Sequence, residues 1–166
     1  MTRLSLTSYH AVRHEALIAA WLADPAIGRW FPGAQPIELA RFLTFVIETE
    51  AQGPVGLMAF AHVGIGRSAE LCCVMIGDPA ARRRGLAAAA IRMAMGCCLP
   101  ADIEKVVVRV AARNRPARQL YAQLGFVQAA KVAADLVLVR HLGRKMVPGD
   151  GFEPPTHGFS IRCSTN

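Results

Sequence analysis

The chain has 166 residues, 53% of them apolar and 19% charged, with a formal net charge of +7. That length suits one domain whose core needs no disulfide or metal staple, and the apolar share excludes a disordered chain. The basic balance favours an anionic partner: a nucleotide cofactor, RNA or an acidic surface.

The start, Met1-Thr2-Arg3-Leu4-Ser5-Leu6-Thr7, lacks the apolar run of a secretory signal. The most apolar stretch, 86–99, contains Arg92 and is too short to span a bilayer. A cytoplasmic protein without membrane contact is expected. Leu4, Leu6 and Tyr9 predict a short first strand. Residues 10–23 have helical spacing, with Val12, Leu17, Ile18, Trp21 and Leu22 on one side. Asp24-Pro25 closes that helix, and the loop 28–33 carries the aromatics Trp30 and Phe31. Pro36 suits the first turn of another helix. That helix either runs on to Ala51 or gives way to a strand through Phe45-Val46-Ile47.

Strands are predicted over 55–63 and 69–76, then an alanine-rich helix over 85–98 stopped by Leu99-Pro100. A strand over 105–111 follows, then a helix over 115–124 with Asn114 as N-cap and Gly125 as its stop. Residues 126–132 and 136–141 read as the last strands. The order is mixed α/β, an early antiparallel meander followed by β-α-β-α-β, and the domain is placed at 1–147. The stretch 148–166 has no periodicity. Gly151-Phe152-Glu153-Pro154 and Cys163-Ser164-Thr165-Asn166 are both encodable by tRNA-arm sequences. A disordered tail is therefore expected there, either read through into an antisense tRNA gene or an ordinary disordered C-terminus.

Five cysteines, two pairs of them adjacent (Cys72-Cys73 and Cys97-Cys98), read as reduced thiols filling core positions. His10 and His14 have i, i+4 spacing but no third ligand in view, so no metal is expected.

The chemistry centres on Ile76-Gly77-Asp78-Pro79-Ala80-Ala81-Arg82-Arg83-Arg84-Gly85-Leu86-Ala87. It reads as a strand, a basic turn and a helix start. Helix N-termini expose unpaired N–H groups and the positive dipole end, which suits phosphate. Gly85 lets backbone approach an anion, Ala87 leaves room, and Arg82, Arg83 and Arg84 add charge. A second segment is Asn114-Arg115-Pro116-Ala117-Arg118-Gln119-Leu120-Tyr121-Ala122-Gln123-Leu124-Gly125-Phe126. Here Ala117, Leu120, Tyr121 and Leu124 share a helical face. A phenol so placed can protonate a departing thiolate, or can simply be a core aromatic.

Arg82-Arg83-Arg84-Gly85-Leu86-Ala87 resembles the acyl-CoA motif of the GNAT (GCN5-related N-acetyltransferase) family, and the Asp78-Pro79 lead-in is typical of it. The segment from Asn114 to Phe126 is similar to the family's Asn, Ala, Tyr and Leu-Gly-Phe pattern. The resemblance implies a mostly antiparallel sheet with a splayed parallel pair, flanked by helices. It also implies transfer of acetyl from acetyl-CoA to a primary amine in a ternary complex. By position, Met75, Ile76 and Gly77 form the strand edge that meets pantetheine, with an N–H near Met75 on the thioester carbonyl. Asn114 corresponds to a cofactor-side asparagine, or serves only as a cap. Tyr121 is the expected acid. Glu70 is the best carboxylate for a base, or else an outward partner of an arginine; Glu48, Glu50 and His62 are poorer candidates.

The Trp30-Phe31 loop and the stretch around Arg41 are expected on the acceptor side. Peptide N-termini and small amines rank above polyamines, because the acids of the first half (Glu15, Asp24, Glu38, Glu48, Glu50, Glu70) are scattered. A non-catalytic acyl-CoA-binding regulatory module is the alternative; it would not need Tyr121. Aromatic content of 7% without interleaved stacking disfavours direct nucleic-acid binding. A homodimer is compatible with the sequence.

Overall fold

The computed structural model describes residues 3–143 and 163–164. One mixed sheet runs through it, with strand order β6-β7-β5-β4-β3-β2-β1-β8. The strands are β1 (Leu4–Ser8), β2 (Leu43–Thr49), β3 (Gly53–Ala61), β4 (Ser68–Ile76), β5 (Lys105–Ala111), β6 (Val127–Val132), β7 (Asp135–His141) and β8 (Cys163–Ser164). The pairing of β4 with β5 is parallel and every other pairing is antiparallel. The helices are α1 (Ala11–Ala23), the short α2 (Pro25–Gly28), α3 (Leu86–Met93) and α4 (Arg115–Gln123).

These elements follow the sequence closely, with three differences. In α1 the buried residues are His14, Ile18 and Trp21, while Val12 is fully exposed. Those three recur at i, i+4 and i+7, so the buried stripe is narrow and Val12 falls behind it. Pro36–Arg41 is a single 3₁₀ segment that gives way to β2, which resolves the choice left open there. Buried Thr44, Phe45, Val46 and Ile47 form a run covered on both faces, which a strand accommodates better than an amphipathic helix. Finally, α3 ends at Met93 and continues as a wider π turn over Ala94–Cys98.

Two cores cover the two faces of the sheet. The larger packs α3 and α4 on one face through Ala90, Ile91, Tyr121 and Leu124, against Met58, Phe60, Leu71 and Val108. The smaller packs α1 on the other face, with Ile18, Trp21 and Ile27 against Leu57, Ala59, Cys73 and Met75. Cys163–Ser164 pair with Leu6 and Ser5 at the edge of β1. The rest of 148–166, and with it the expected tail, lies outside the described residues. Among the described residues no helix is long and apolar enough to cross a membrane.

Candidate active site

The parallel pair β4/β5 stays together only for Ser68, Ala69 and Glu70, opposite Lys105, Val106 and Val107. Beyond Glu70 the two strands part and a gap opens along the rest of β4. A bulge marks the opening. Phe60 pairs with Leu71 and Ala59 with Cys73, which leaves Cys72 as the extra residue. The bulge also reverses which faces the side chains take. Ala69 and Leu71 join the larger core, whereas Cys73 and Met75 join the smaller. The Cys72 thiol donates to the Ala59 carbonyl at 3.3 Å, and burial raises its pKa to about 11, so it stays protonated at neutral pH.

Main-chain directions along β4 follow from one bond. The Gly77 N–H donates to the Val55 carbonyl at 2.8 Å, toward β3. Backbone groups alternate sides along a strand, so Met75, opposite Leu57, also faces β3. The expected N–H near Met75 is thereby narrowed to its neighbours. The amides turned to the gap are those of Val74 and Ile76. Gly77 is not available either: its N–H is taken by Val55 and its carbonyl accepts from Arg82 at 2.8 Å. The glycine has a steric cause. A Cβ there would sit 1.9 Å from the Trp21 indole, so the ring of α1 rests directly on this backbone.

The arginine triplet divides its work. Arg82 points inward. Its guanidinium donates to the Ile76 carbonyl at 3.1 Å, to the Gly77 carbonyl and to the Asp24 carboxylate at 2.6 Å. That hydrogen bond, together with one from the Ala26 N–H, holds the Asp24 carboxyl below the usual carboxylate range. Arg82 thus ties the end of β4 to the start of α2. Arg83 and Arg84 are exposed at the turn, and the Arg84 guanidinium reaches Gln52 at 3.4 Å. Arg83 (φ 60°) and Gly85 (φ 77°) are both left-handed. The first bond of α3 runs from the Ala89 N–H to the Gly85 carbonyl. The N–H groups of Leu86, Ala87 and Ala88 therefore emerge without a main-chain acceptor among the described residues. These donors, with the dipole of α3 and the exposed arginines, fit a diphosphate.

On the far side of the gap, the Asn114 side chain accepts from the Ala117 N–H at 3.2 Å, which makes it the cap of α4. The Tyr121 ring is buried edge-on against Phe126. Burial, and secondarily the nearby Cys73 thiol, push its phenol pKa upward. Among the described residues no buried side-chain polar atom lacks a partner, and the Tyr121 hydroxyl makes no hydrogen bond to a described side chain or backbone group, so its oxygen is not fully buried. Tyr121 belongs to the core on the α4 face and Cys73 to the core on the α1 face. Glu70 stands where the strands part. Its carboxylate bonds to the His62 imidazole at 3.1 Å and lies 3.5 Å from the Arg109 guanidinium.

Two recesses flank Met75 on the α1 side. One, of about 250 Å³, runs along Val74, Met75 and Ile76 beneath Trp30 and beside Arg82. The other, of about 140 Å³, is bounded by Phe31, Glu38, Leu39, Phe42, Cys72 and Cys73. Phe31 and Met75 border both, so the two lie side by side. Glu70 does not line either recess. Trp30 lies between the Arg29 and Arg113 guanidiniums, at 5.0 and 5.8 Å, and so links the loop after α2 to the residue preceding Asn114. Trp30 and Phe31 thus border these recesses; the sequence marks Cys72 only as a core thiol and Glu38 only as a scattered acid, and gives no sign of Val74, since bulges and pocket walls leave no local pattern. Among the described residues, no three His, Cys, Asp or Glu side chains gather as for a metal ion.

Comparison with known proteins agrees with this geometry. No curated protein sequence matches the chain. Among solved structures, a domain from Methanocaldococcus jannaschii superposes with a TM-score of 0.75 at 13% identity, covering 86% of this chain and 100% of that one. Spermidine N-acetyltransferase from Vibrio cholerae, in complex with CoA and spermine, gives 0.66 at 20% identity over 85% and 95%. A GNAT-family acetyltransferase from Listeria monocytogenes gives 0.62 at 17% identity over 83% and 95%. These likenesses establish the fold, and the family model for the acetyltransferase (GNAT) domain matches residues 3–127. Because that match spans most of the chain, the protein belongs to the GNAT acetyltransferase family.

Proposed function

We propose that this acetyltransferase moves acetyl from acetyl-CoA to a primary amine by direct transfer, in the cytoplasm, where its thiols stay reduced. The observation that carries the reading is the gap beyond Glu70, which leads from the Val74 and Ile76 amides to the free donors of α3. Acetyl-CoA supplies an activated thioester: the amine nitrogen forms the new C–N bond, the C–S bond breaks, and the products are an amide and free CoA.

In this proposal the N–H groups of Leu86, Ala87 and Ala88, with Gly85, Arg83 and Arg84, hold the diphosphate. The Val74 or Ile76 amide holds the carbonyl oxygen as negative charge develops on it. Tyr121, kept protonated by its raised pKa, gives its proton to the departing sulfur. Glu70, linked to His62, takes the proton that the amine loses, through water, since neither recess includes it. Asn114 orients α4 as its cap, and Arg82 positions the strand end rather than touching phosphate.

Calorimetry with CoA and steady-state kinetics test the reading together. Saturable binding is expected, and Tyr121→Phe should lower kcat by about 10²-fold with CoA affinity unchanged. Absence of CoA binding overturns the reading. An unchanged kcat removes Tyr121 as the acid.

A further inference from the structure

We infer that the acceptor is a monoamine whose single ammonium is carried on an apolar body about the size of one six-membered ring. This rests on the acetyltransferase reading above and deepens it.

The recess beside the bulge is walled by Phe31, Leu39, Phe42, Cys72, Cys73 and Met75. At neutral pH its thiols are uncharged, because burial raises both of their pKa values. Among the described residues Glu38 is its one carboxylate, on the exposed side of the 3₁₀ segment, and Gln35 adds a neutral amide. An apolar wall with one negative group complements one cation on an apolar frame. A second or third ammonium, as in a polyamine, would be desolvated there with no second carboxylate to pair it. Size narrows the choice further. The recess measures about 140 Å³, and an apolar cavity of about 150 Å³ holds one benzene. The recess also shares Phe31 and Met75 with the channel along Val74 and Ile76. An amine seated in it therefore lies next to a carbonyl held at that strand edge. Once deprotonated, its nitrogen attacks that carbonyl; CoA leaves as the thiol, the Tyr121 proton going to sulfur and the amine proton to water or Glu70.

The test compares 2-phenylethylamine, ethanolamine and spermidine as acceptors in CoA-release kinetics, beside CoA calorimetry on the same preparation. The expected result is a kcat/KM for 2-phenylethylamine at least tenfold above the other two. Glu38→Gln, an exposed change that spares the fold, should raise KM for 2-phenylethylamine several-fold with CoA affinity unchanged. Equal or higher kcat/KM for spermidine or ethanolamine, no turnover with any of the three while CoA binds, or an unmoved KM in Glu38→Gln overturns the inference alone. Failure to bind CoA overturns the parent reading, and this one with it.

Discussion

At Gly77 one absent methyl group decides how α1 meets the sheet. The indole of Trp21 occupies the space a side chain would need, at 1.9 Å from an ideal Cβ. Gly77→Ala must therefore displace either a buried aromatic or the end of β4, where Arg82 is anchored. An overpacking cost of about 1–3 kcal/mol is expected, read as a lower denaturation midpoint, with a weaker CoA affinity because the Arg82 carbonyl partners move. His14 is decisive in another way. Its Nδ1 accepts from the His10 N–H at 3.0 Å, so the buried ring must be neutral to serve the start of α1. Burial lowers its pKa, opposed by Glu48 and assisted by His10 and Arg13. A folded pKa below the unfolded value means that stability is full above about pH 6.5 and falls as pH drops toward the folded pKa. Denaturation midpoints measured from pH 7.5 to 5 should fall in the parent protein, and less steeply in His14→Gln, whose amide does not titrate. Neither role was legible beforehand. A glycine after a strand and a histidine in a helix have many uses, and only the tertiary partner selects one.

Among the elements, β4 carries the most information per residue. Its strand character was plain in the run from Ala69 to Ile76, and so were the bounds of β5, α4 and β7 within a residue, because hydrophobic period and capping residues act locally. The bulge at Cys72 was not plain. Ala69, Leu71, Cys73 and Met75 alternate without a break, yet the first two face one core and the last two the other. Register is a property of two strands, and Ala59 and Phe60 fix it from outside β4. Only the pairing of Gly77 with Val55 narrows the amide expected near Met75 to those of Val74 and Ile76. Proline scanning separates the two registers. Val74→Pro removes an N–H that faces the gap, so the β3 ladder survives and the protein should stay folded with reduced kcat. Met75→Pro removes a ladder bond in a central strand and should destabilise the protein severely. Circular dichroism melts and acetylation rates on both variants check the assignment, and it fails if Met75→Pro is the better tolerated.

At the scale of the molecule, charge and opening coincide. The net charge is +7, and the exposed Arg83 and Arg84 lie in the turn that follows β4, the strand that among the described residues parts from β5 beyond Glu70. The N–H donors of α3 are fixed dipoles in direct contact range, whereas the two guanidiniums and the general excess of positive charge act through solvent. Salt distinguishes these contributions. Raising ionic strength from about 0.1 M to 1 M shortens the screening length from about 10 Å to about 3 Å. That weakens the solvent-exposed arginines and leaves the backbone cradle nearly intact. CoA affinity should therefore fall several-fold over that range and then level off. In the double variant Arg83→Ala, Arg84→Ala, affinity should start lower and vary little with salt, converging on the parent protein at high ionic strength. Calorimetric titrations across a potassium chloride series measure both curves. If the double variant keeps the full salt dependence, the charge that attracts the cofactor lies elsewhere on the surface; if affinity collapses to zero at high salt in both, the helix start contributes no grip of its own.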